Sequence, residues 1–256
     1  MKRVSLYFGS YNPIHNGHIA IAEYVVEMGF CDELIMVVSP QNPLKDSADL
    51  ANEMDRFSMA EIACAESQYP ARIKASLIEF LLPKPSYTID TLRHLSREYG
   101  SQMSFSLLMG GDIVEQLDRW RDYEQILSDY PILLYPRPNE SLDRYSDRMT
   151  ILSDAPQYNI SSTEVRRGLI CGESVDHLLS SGVAKYIADN RLWSEPTSAD
   201  QFVVRGQWHY QHQRWGDALN DFNRAIALNA EHTGAVELKR MTQQILDFRY
   251  KDIYNP

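Results

Sequence analysis

The sequence predicts an α/β protein, with a parallel sheet flanked by helices over residues 1–195 and a small all-α helical hairpin region over residues 196–256. Short apolar runs of strand length, Val4–Phe8, Glu33–Val38, Phe105–Met109 and Pro131–Tyr135, alternate with segments whose apolar residues recur at helical spacing. Turns bearing glycine or proline fall where a strand gives way to a helix. Past Ser194–Ser198, a polar linker with one proline, only helical periodicity remains.

The first strand runs into Gly9-Ser10-Tyr11-Asn12-Pro13-Ile14-His15-Asn16-Gly17-His18, after which Ile19, Ala22, Val25 and Val26 mark a helix to Met28. This is a strand-to-helix turn. In an open parallel sheet the carboxyl ends of strands carry ligands, and helix N–H groups there point at anions. A phosphate suits the place. Gly9 would let the backbone approach a ligand, Pro13 stiffens the turn, and Gly17 leaves room beside the helix. His15 and His18 can face one bound group and donate to phosphate oxygens as negative charge develops. Metal ligation is the competing chemistry, but zinc needs about three or four close ligands, and no cysteine is nearby.

Glu33–Val38 is the second strand, and its loop Ser39-Pro40-Gln41-Asn42-Pro43-Leu44-Lys45 lies on the same ligand side, where Lys45 could reach a phosphate or simply be solvated. Glu53–Glu66 reads as an amphipathic helix and Ile73–Phe80 as a loosely alternating strand. Pro85-Ser86-Tyr87-Thr88-Ile89-Asp90 feeds a helix to Tyr99, with Thr88 or Asp90 as N-cap. Phe105–Met109 is followed by Gly110-Gly111-Asp112 and a helix through Leu117 toward Trp120. Asp112 is thus an N-cap or a carboxylate for a ribose hydroxyl or a cation, while Trp120 is a stacking platform or a core residue. Pro131–Tyr135 is the fifth strand and ends at Pro136-Arg137-Pro138. In Asn159-Ile160-Ser161-Ser162-Thr163-Glu164-Val165-Arg166, Ser161 and Glu164 have capping-box spacing, which starts a helix with free N–H groups and makes a second anion cradle beside Arg166.

Composition narrows the function classes. A formal net charge of −10 lacks the attractive field of a general nucleic-acid or membrane-surface binder, and a small anionic substrate held locally remains compatible. Three scattered cysteines, Cys31, Cys64 and Cys171, have no metal spacing and an odd count, which predicts a reducing compartment. No apolar run approaches membrane-spanning length, and the N-terminus lacks a cleavage pattern, so a cytoplasmic protein is expected.

The turn Gly9, Pro13, His15, Gly17 and His18 resembles the Gly-x-Phe-x-Pro-x-His-x-Gly-His signature of the nucleotidylyltransferase superfamily, with Tyr11 in place of Phe and Asn12 where Asp is usual. Residues Ile160–Arg166 resemble the Ile-Ser-Ser-Thr-x-x-Arg signature of the same superfamily. The segment Tyr87–Leu92 and the spacing of Gly110-Gly111-Asp112 to Trp120 are similar to nicotinate-nucleotide adenylyltransferases, and the likeness spans residues 1–193. It implies a Rossmann-like sheet of the nucleotidylyltransferase type and transfer of the adenylyl group of ATP to nicotinate mononucleotide, giving deamido-NAD and pyrophosphate. By the resemblance, His15, His18, Lys45 and Arg166 are the catalytic set. ATP is held by Gly9, Ser10, Tyr11, His15, His18, Gly110, Asp112, Ile160, Ser161, Ser162 and Arg166. The nicotinate nucleotide is held by Tyr87, Thr88, Asp112, Trp120 and Arg137. No protein metal ligand is implied, and Mg2+ would be bound mainly through ATP phosphates.

Two alternatives stay open: an adenylyltransferase for nicotinamide mononucleotide or another phosphorylated molecule, and a non-catalytic nucleotide-binding adaptor. A class I aminoacyl-tRNA synthetase shares the His-x-Gly-His element, but no lysine-rich Lys-Met-Ser-Lys-Ser loop is present. The tail, with Gly216-Asp217-Ala218-Leu219 and Ala225–Asn229, resembles one tetratricopeptide-type repeat. A single such unit needs a surface to lean on, which points to the catalytic domain, a homo-oligomer or a protein partner.

Overall fold

The computed structural model describes residues 1–40, 50–136 and 145–254. The chain divides into two compact units, Met1–Ser162 with Asp176–Tyr186, and Thr163–Val175 with Ile187–Pro256.

The first unit is built on a six-stranded sheet in the order β3-β2-β1-β4-β5-β6, every neighbouring pair parallel. The strands are β1 (Lys2–Gly9), β2 (Glu33–Val38), β3 (Ile73–Ser76), β4 (Met103–Gly110), β5 (Ile132–Tyr135) and β6 (Thr150–Ile151). The helices of this unit are α1 (Asn16–Glu27), α2 (Glu53–Ala65), α3 (Ile78–Leu81), α4 (Thr88–Tyr99), α5 (Gly111–Val114) and α6 (Tyr123–Asp129). Because the chain winds outward from β1 through β2 to β3 and then returns to β4 on the other side, the strand order reverses between β1 and β4. The crevice beyond the carboxyl ends at such a reversal is where open α/β sheets bind ligands.

Side-chain alternation along the strands makes both faces apolar. Val4, Leu6, Phe105, Leu107, Met109, Ile132 and Leu134 form one buried cluster with Ile89 and Leu92 of α4 and Ile126 of α6. On the opposite face α1 buries Ile21, Ala22, Val25 and Val26, and α2 buries Met59, Ala60 and Ala63.

Several expected elements differ. Residues 73–80 are not one strand: β3 stops at Ser76, and Ile78–Leu81 is a short helix whose first N–H bonds Ser76 Oγ at 3.2 Å. The expected helix toward Trp120 is α5 followed by a single 3-10 turn at Leu117–Arg119, while α6 and β6 were not foreseen. The N-cap of α4 is Tyr87, with no side-chain cap bond, in place of Thr88 or Asp90.

α7 (Ser162–Cys171) begins in the first unit and continues in the second, and α8 (Ser181–Asp189) follows it. The tail forms α9 (Ala199–Gln211), α10 (Trp215–Leu228) and α11 (Thr233–Tyr254). α9 and α10 meet closely where Gly206 faces the fully buried Phe222; a Cβ at Gly206 would lie 2.6 Å from that ring. Arg205 also donates to both carboxylate oxygens of Asp221, at 2.9 and 2.8 Å, in a bidentate pair.

Candidate active site

β1 ends at Gly9 and the chain then turns through Tyr11, whose φ of +46° lies in the left-handed region, and a cis Asn12–Pro13 peptide. Tyr11 is 2% exposed, and its hydroxyl donates to the Tyr7 carbonyl at 2.5 Å. Burial pushes its phenol pKa well above the ordinary value. The ring covers Gly9, where an added Cβ would sit 2.8 Å from it. A side chain at residue 9 would therefore run into the Tyr11 ring. Asn12 Oδ1 accepts from the Ala51 N–H at 2.9 Å, pinning the turn to the approach of α2.

The turn delivers His15 to the N-cap of α1, in extended backbone conformation. His18 occupies the third helical position, and its Nδ1 accepts from the His15 backbone N–H at 3.2 Å. That is the role Glu or Gln fills in a capping box, here performed by an imidazole. An accepting Nδ1 leaves Nε2 as the N–H nitrogen of neutral His18. The two rings stack with centroids 3.7 Å apart and planes 32° from parallel, and Tyr11 meets His18 edge-on at 5.2 Å. No acidic residue stands in the first turn of α1, so the positive end of its dipole is left for an anion.

Tyr7, His15, Gly17, His18, Tyr135, Pro136, Tyr158 and Ile160 line one cleft at the carboxyl ends of β1 and β5. Gly17 is a tight fit, since a Cβ there would lie 3.2 Å from the His15 ring and 3.3 Å from Tyr158 Cβ. The Tyr7 and Tyr135 hydroxyls lie 3.0 Å apart. Ser162 Oγ donates to the Pro13 carbonyl at 2.8 Å, which brings the first residue of α7 to the histidine turn. Two sequence-remote segments therefore flank one cleft. Ser161 immediately precedes α7. Further along that helix, in the second unit, Arg166 Nη2 lies 3.4 Å from Thr163 Oγ1.

At the end of β4, Gly110 is the N-cap of α5 and Asp112 falls inside that helix, so Asp112 is not the cap. Its side chain lies outside the described residues, as do Lys45 and Arg137. Tyr87 and Trp120 are both partly buried against the apolar cluster under α4. The Arg121 guanidinium lies 4.9 Å from the Tyr87 ring centroid and 3.2 Å from Asp90 Oδ2.

A cytidylyltransferase-like family model matches residues 6–168, which include the histidine turn and the start of α7. A probable nicotinate-nucleotide adenylyltransferase of Cytophaga hutchinsonii is 40% identical over 193 residues, 75% of this chain and 98% of the relative. One from Flavobacterium johnsoniae is 40% identical over 196 residues, 75% of this chain and the whole of the relative. The chain belongs to the nicotinate-nucleotide adenylyltransferase family. Among solved structures, a Plasmodium falciparum nicotinic acid mononucleotide adenylyltransferase complexed with NaAD aligns over 77% of this chain and 99% of its own, at a TM-score of 0.64 and 16% identity. At that identity the likeness speaks for the fold.

Residues outside the family signatures also build the cleft. Tyr7, Tyr135 and Tyr158 line it, yet in sequence the first two read as ordinary strand residues. Arg56 has no exposed surface, and its guanidinium donates to the carbonyls of Ser10, Ser39, Pro40 and Ala51 at 2.7, 2.7, 2.8 and 3.2 Å. A buried cation is tolerable when its donors are satisfied in this way, and here the bonds tie together the loops at the ends of β1 and β2.

Proposed function

We infer that this protein transfers the adenylyl group of ATP to nicotinate mononucleotide, releasing pyrophosphate and forming deamido-NAD. The observation that carries this is the stacked His15–His18 pair at the start of α1, in a cleft shared with Ile160 and close to the Ser162–Pro13 bond.

The mononucleotide phosphate attacks the α-phosphorus of ATP in line and pyrophosphate leaves, with no covalent enzyme intermediate. Catalysis consists of positioning and charge stabilisation. The His18 Nε2–H and the positive end of the α1 dipole serve the triphosphate. Tyr87, Thr88 and Trp120 are assigned to the pyridine nucleotide. Lys45, Asp112, Arg137 and Arg166 keep the roles their sequence motifs imply. Mg2+ would arrive on the ATP phosphates and neutralise the leaving pyrophosphate. Among the described residues no three His, Cys, Asp or Glu side chains cluster as a metal cage.

In this scheme residues 1–195 are the catalytic domain and residues 196–256 a tetratricopeptide-like tail that meets another copy or a protein partner. Among the described residues no helix is long and apolar enough to cross a membrane, and a cytoplasmic location fits the three buried free thiols. The test is pyrophosphate release from ATP with and without added nicotinate mononucleotide. Release only in its presence supports the transfer, whereas ATP binding without release supports the adaptor alternative.

A further inference from the structure

α7 ends in a Schellman motif. Gly172 takes a φ of +71°, its N–H donates to the Leu169 carbonyl at 3.1 Å, and the Glu173 N–H donates to the Gly168 carbonyl at 2.8 Å. The chain then folds back along the helix, and the buried Val175 covers Gly168, where a Cβ would lie 2.5 Å from Val175 Cγ1. This ending hands Glu173 to the tail. Its Oε1 accepts from the Trp208 indole Nε1–H of α9 at 2.5 Å, a charge-assisted bond.

The indole is itself held. His212, the C-cap of α9, stacks on it with centroids 4.2 Å apart and planes 33° from parallel, His209 meets it edge-on at 5.2 Å, and the Arg214 guanidinium lies 5.9 Å from the ring. The donor offered to Glu173 is therefore ordered beforehand, which lowers the entropy lost in making the bond. The second compact unit thus joins Thr163–Val175 to the tail, and the helix it grips carries Arg166. α7 has ten residues, fewer than the about 12–15 that sustain a helix alone in water, so tertiary support decides how firmly it stays wound.

We propose that Trp208 and Glu173 are positioning residues through which the tail braces α7 and fixes the Arg166 guanidinium. The role rests on the adenylyl-transfer function above, in which Arg166 brings positive charge to the triphosphate. It also gives the tail a task within its own chain, since a lone helical repeat needs a surface to lean on. A charged group stabilises developing charge most when it is held beforehand, and an arginine on a fraying helix is not.

The test uses the full-length chain with Trp208→Phe, which removes the N–H and keeps a ring, Glu173→Ala, and Glu173→Gln, which keeps an acceptor. Two quantities are read: kcat/KM for ATP per folded molecule, and amide hydrogen exchange at residues 166–171. Trp208→Phe and Glu173→Ala are expected to lower kcat/KM at least about fivefold and to quicken exchange along α7. Glu173→Gln should stay within about twofold of wild type. In an Arg166→Ala background Trp208→Phe should cost nothing further, because it acts through that side chain. A fall in Tm with unchanged kcat/KM, wild-type exchange in α7, a Glu173→Gln loss as large as that of Glu173→Ala, or a further loss in the Arg166→Ala background would overturn the proposal. If Trp208→Phe does not fold, Glu173→Ala decides it, since Glu173 is exposed. A wild type that leaves nicotinate mononucleotide unreacted would refute the transfer function; the Kd of ATP then replaces kcat/KM, with the same factor expected, and still decides the brace.

Discussion

The Nδ1 of His18 is committed to the backbone N–H of His15 while the two imidazoles stack at 3.7 Å. The same bond that caps α1 therefore sets the tautomer of the ring proposed to meet the triphosphate, coupling the fold of the turn to its proposed chemistry. Replacing His18 by alanine removes both an Nε2–H donor and the N3 cap. Losing one donor to developing charge typically costs about 10²–10³ in kcat. The expected outcome for His18→Ala is a loss of that size, with the KM for ATP rising only a few-fold. Steady-state kinetics showing near-normal kcat would remove His18 from charge stabilisation.

Ser162→Ala breaks the only described side-chain bond between the first residue of α7 and the histidine turn. The fold should survive, since a part-buried neutral hydrogen bond contributes about 1 kcal/mol. Binding should not be spared: the KM for ATP is expected to rise about fivefold, the factor in affinity that about 1 kcal/mol corresponds to. An unchanged KM would mean that the Ser162–Pro13 bond does not shape the ATP side.

Gly9→Ala should destabilise the protein by about 1–3 kcal/mol, the usual cost of overpacking. The new methyl would meet the Tyr11 ring at 2.8 Å, and that ring is buried and held by its hydroxyl bond. Gly216 in α10 is the control, because nothing lies within 4 Å of a Cβ there. Gly216→Ala should be neutral or stabilising by up to about 1 kcal/mol. Urea denaturation distinguishes the two, and equal effects would discount the Tyr11 packing.

Burial pushes the Glu79 carboxyl above its ordinary 4.5, against the opposing pull of the nearby Ser39 and of the hydrogen bond from Thr91. The folded protein then keeps that proton over a pH interval in which the unfolded chain has released it. Stability from this group is accordingly full below 4.5 and declines as pH rises through the folded value. Glu79→Gln does not titrate, so its denaturation midpoint should gain on wild type as pH climbs from about 4 to about 7. Parallel pH profiles would show that Glu79 carries no such raised pKa.

The parts legible in the sequence share a physical cause. β1, the histidine turn and α1 could be read because alternating apolar residues, a Gly-x-x-x-Pro turn and helical spacing all follow directly from backbone geometry. The start of α7 was legible through Ser161 and Glu164. What stayed hidden depends on tertiary contact. Arg56 and Glu79 look like solvent-facing charges until the ends of β1, β2 and α4 close over them. The alternation of residues 73–80 was misleading because Leu77 ends the pairing with β2, which extends only to Ser76. β6 is two residues long, too short for a periodic signal. That the Tyr11 ring folds back over the Cβ position of Gly9 is likewise a tertiary contact the sequence does not show.

The most direct measurement is product formation by the purified chain given ATP, Mg2+ and either nicotinate or nicotinamide mononucleotide, read by mass. Deamido-NAD and pyrophosphate in equal amounts, with the nicotinate nucleotide used at least about tenfold more efficiently, are expected; that ratio corresponds to about 1.4 kcal/mol of discrimination. Equal use of both nucleotides, or ATP binding with neither dinucleotide formed, would contradict adenylyl transfer to nicotinate mononucleotide as the function of this site.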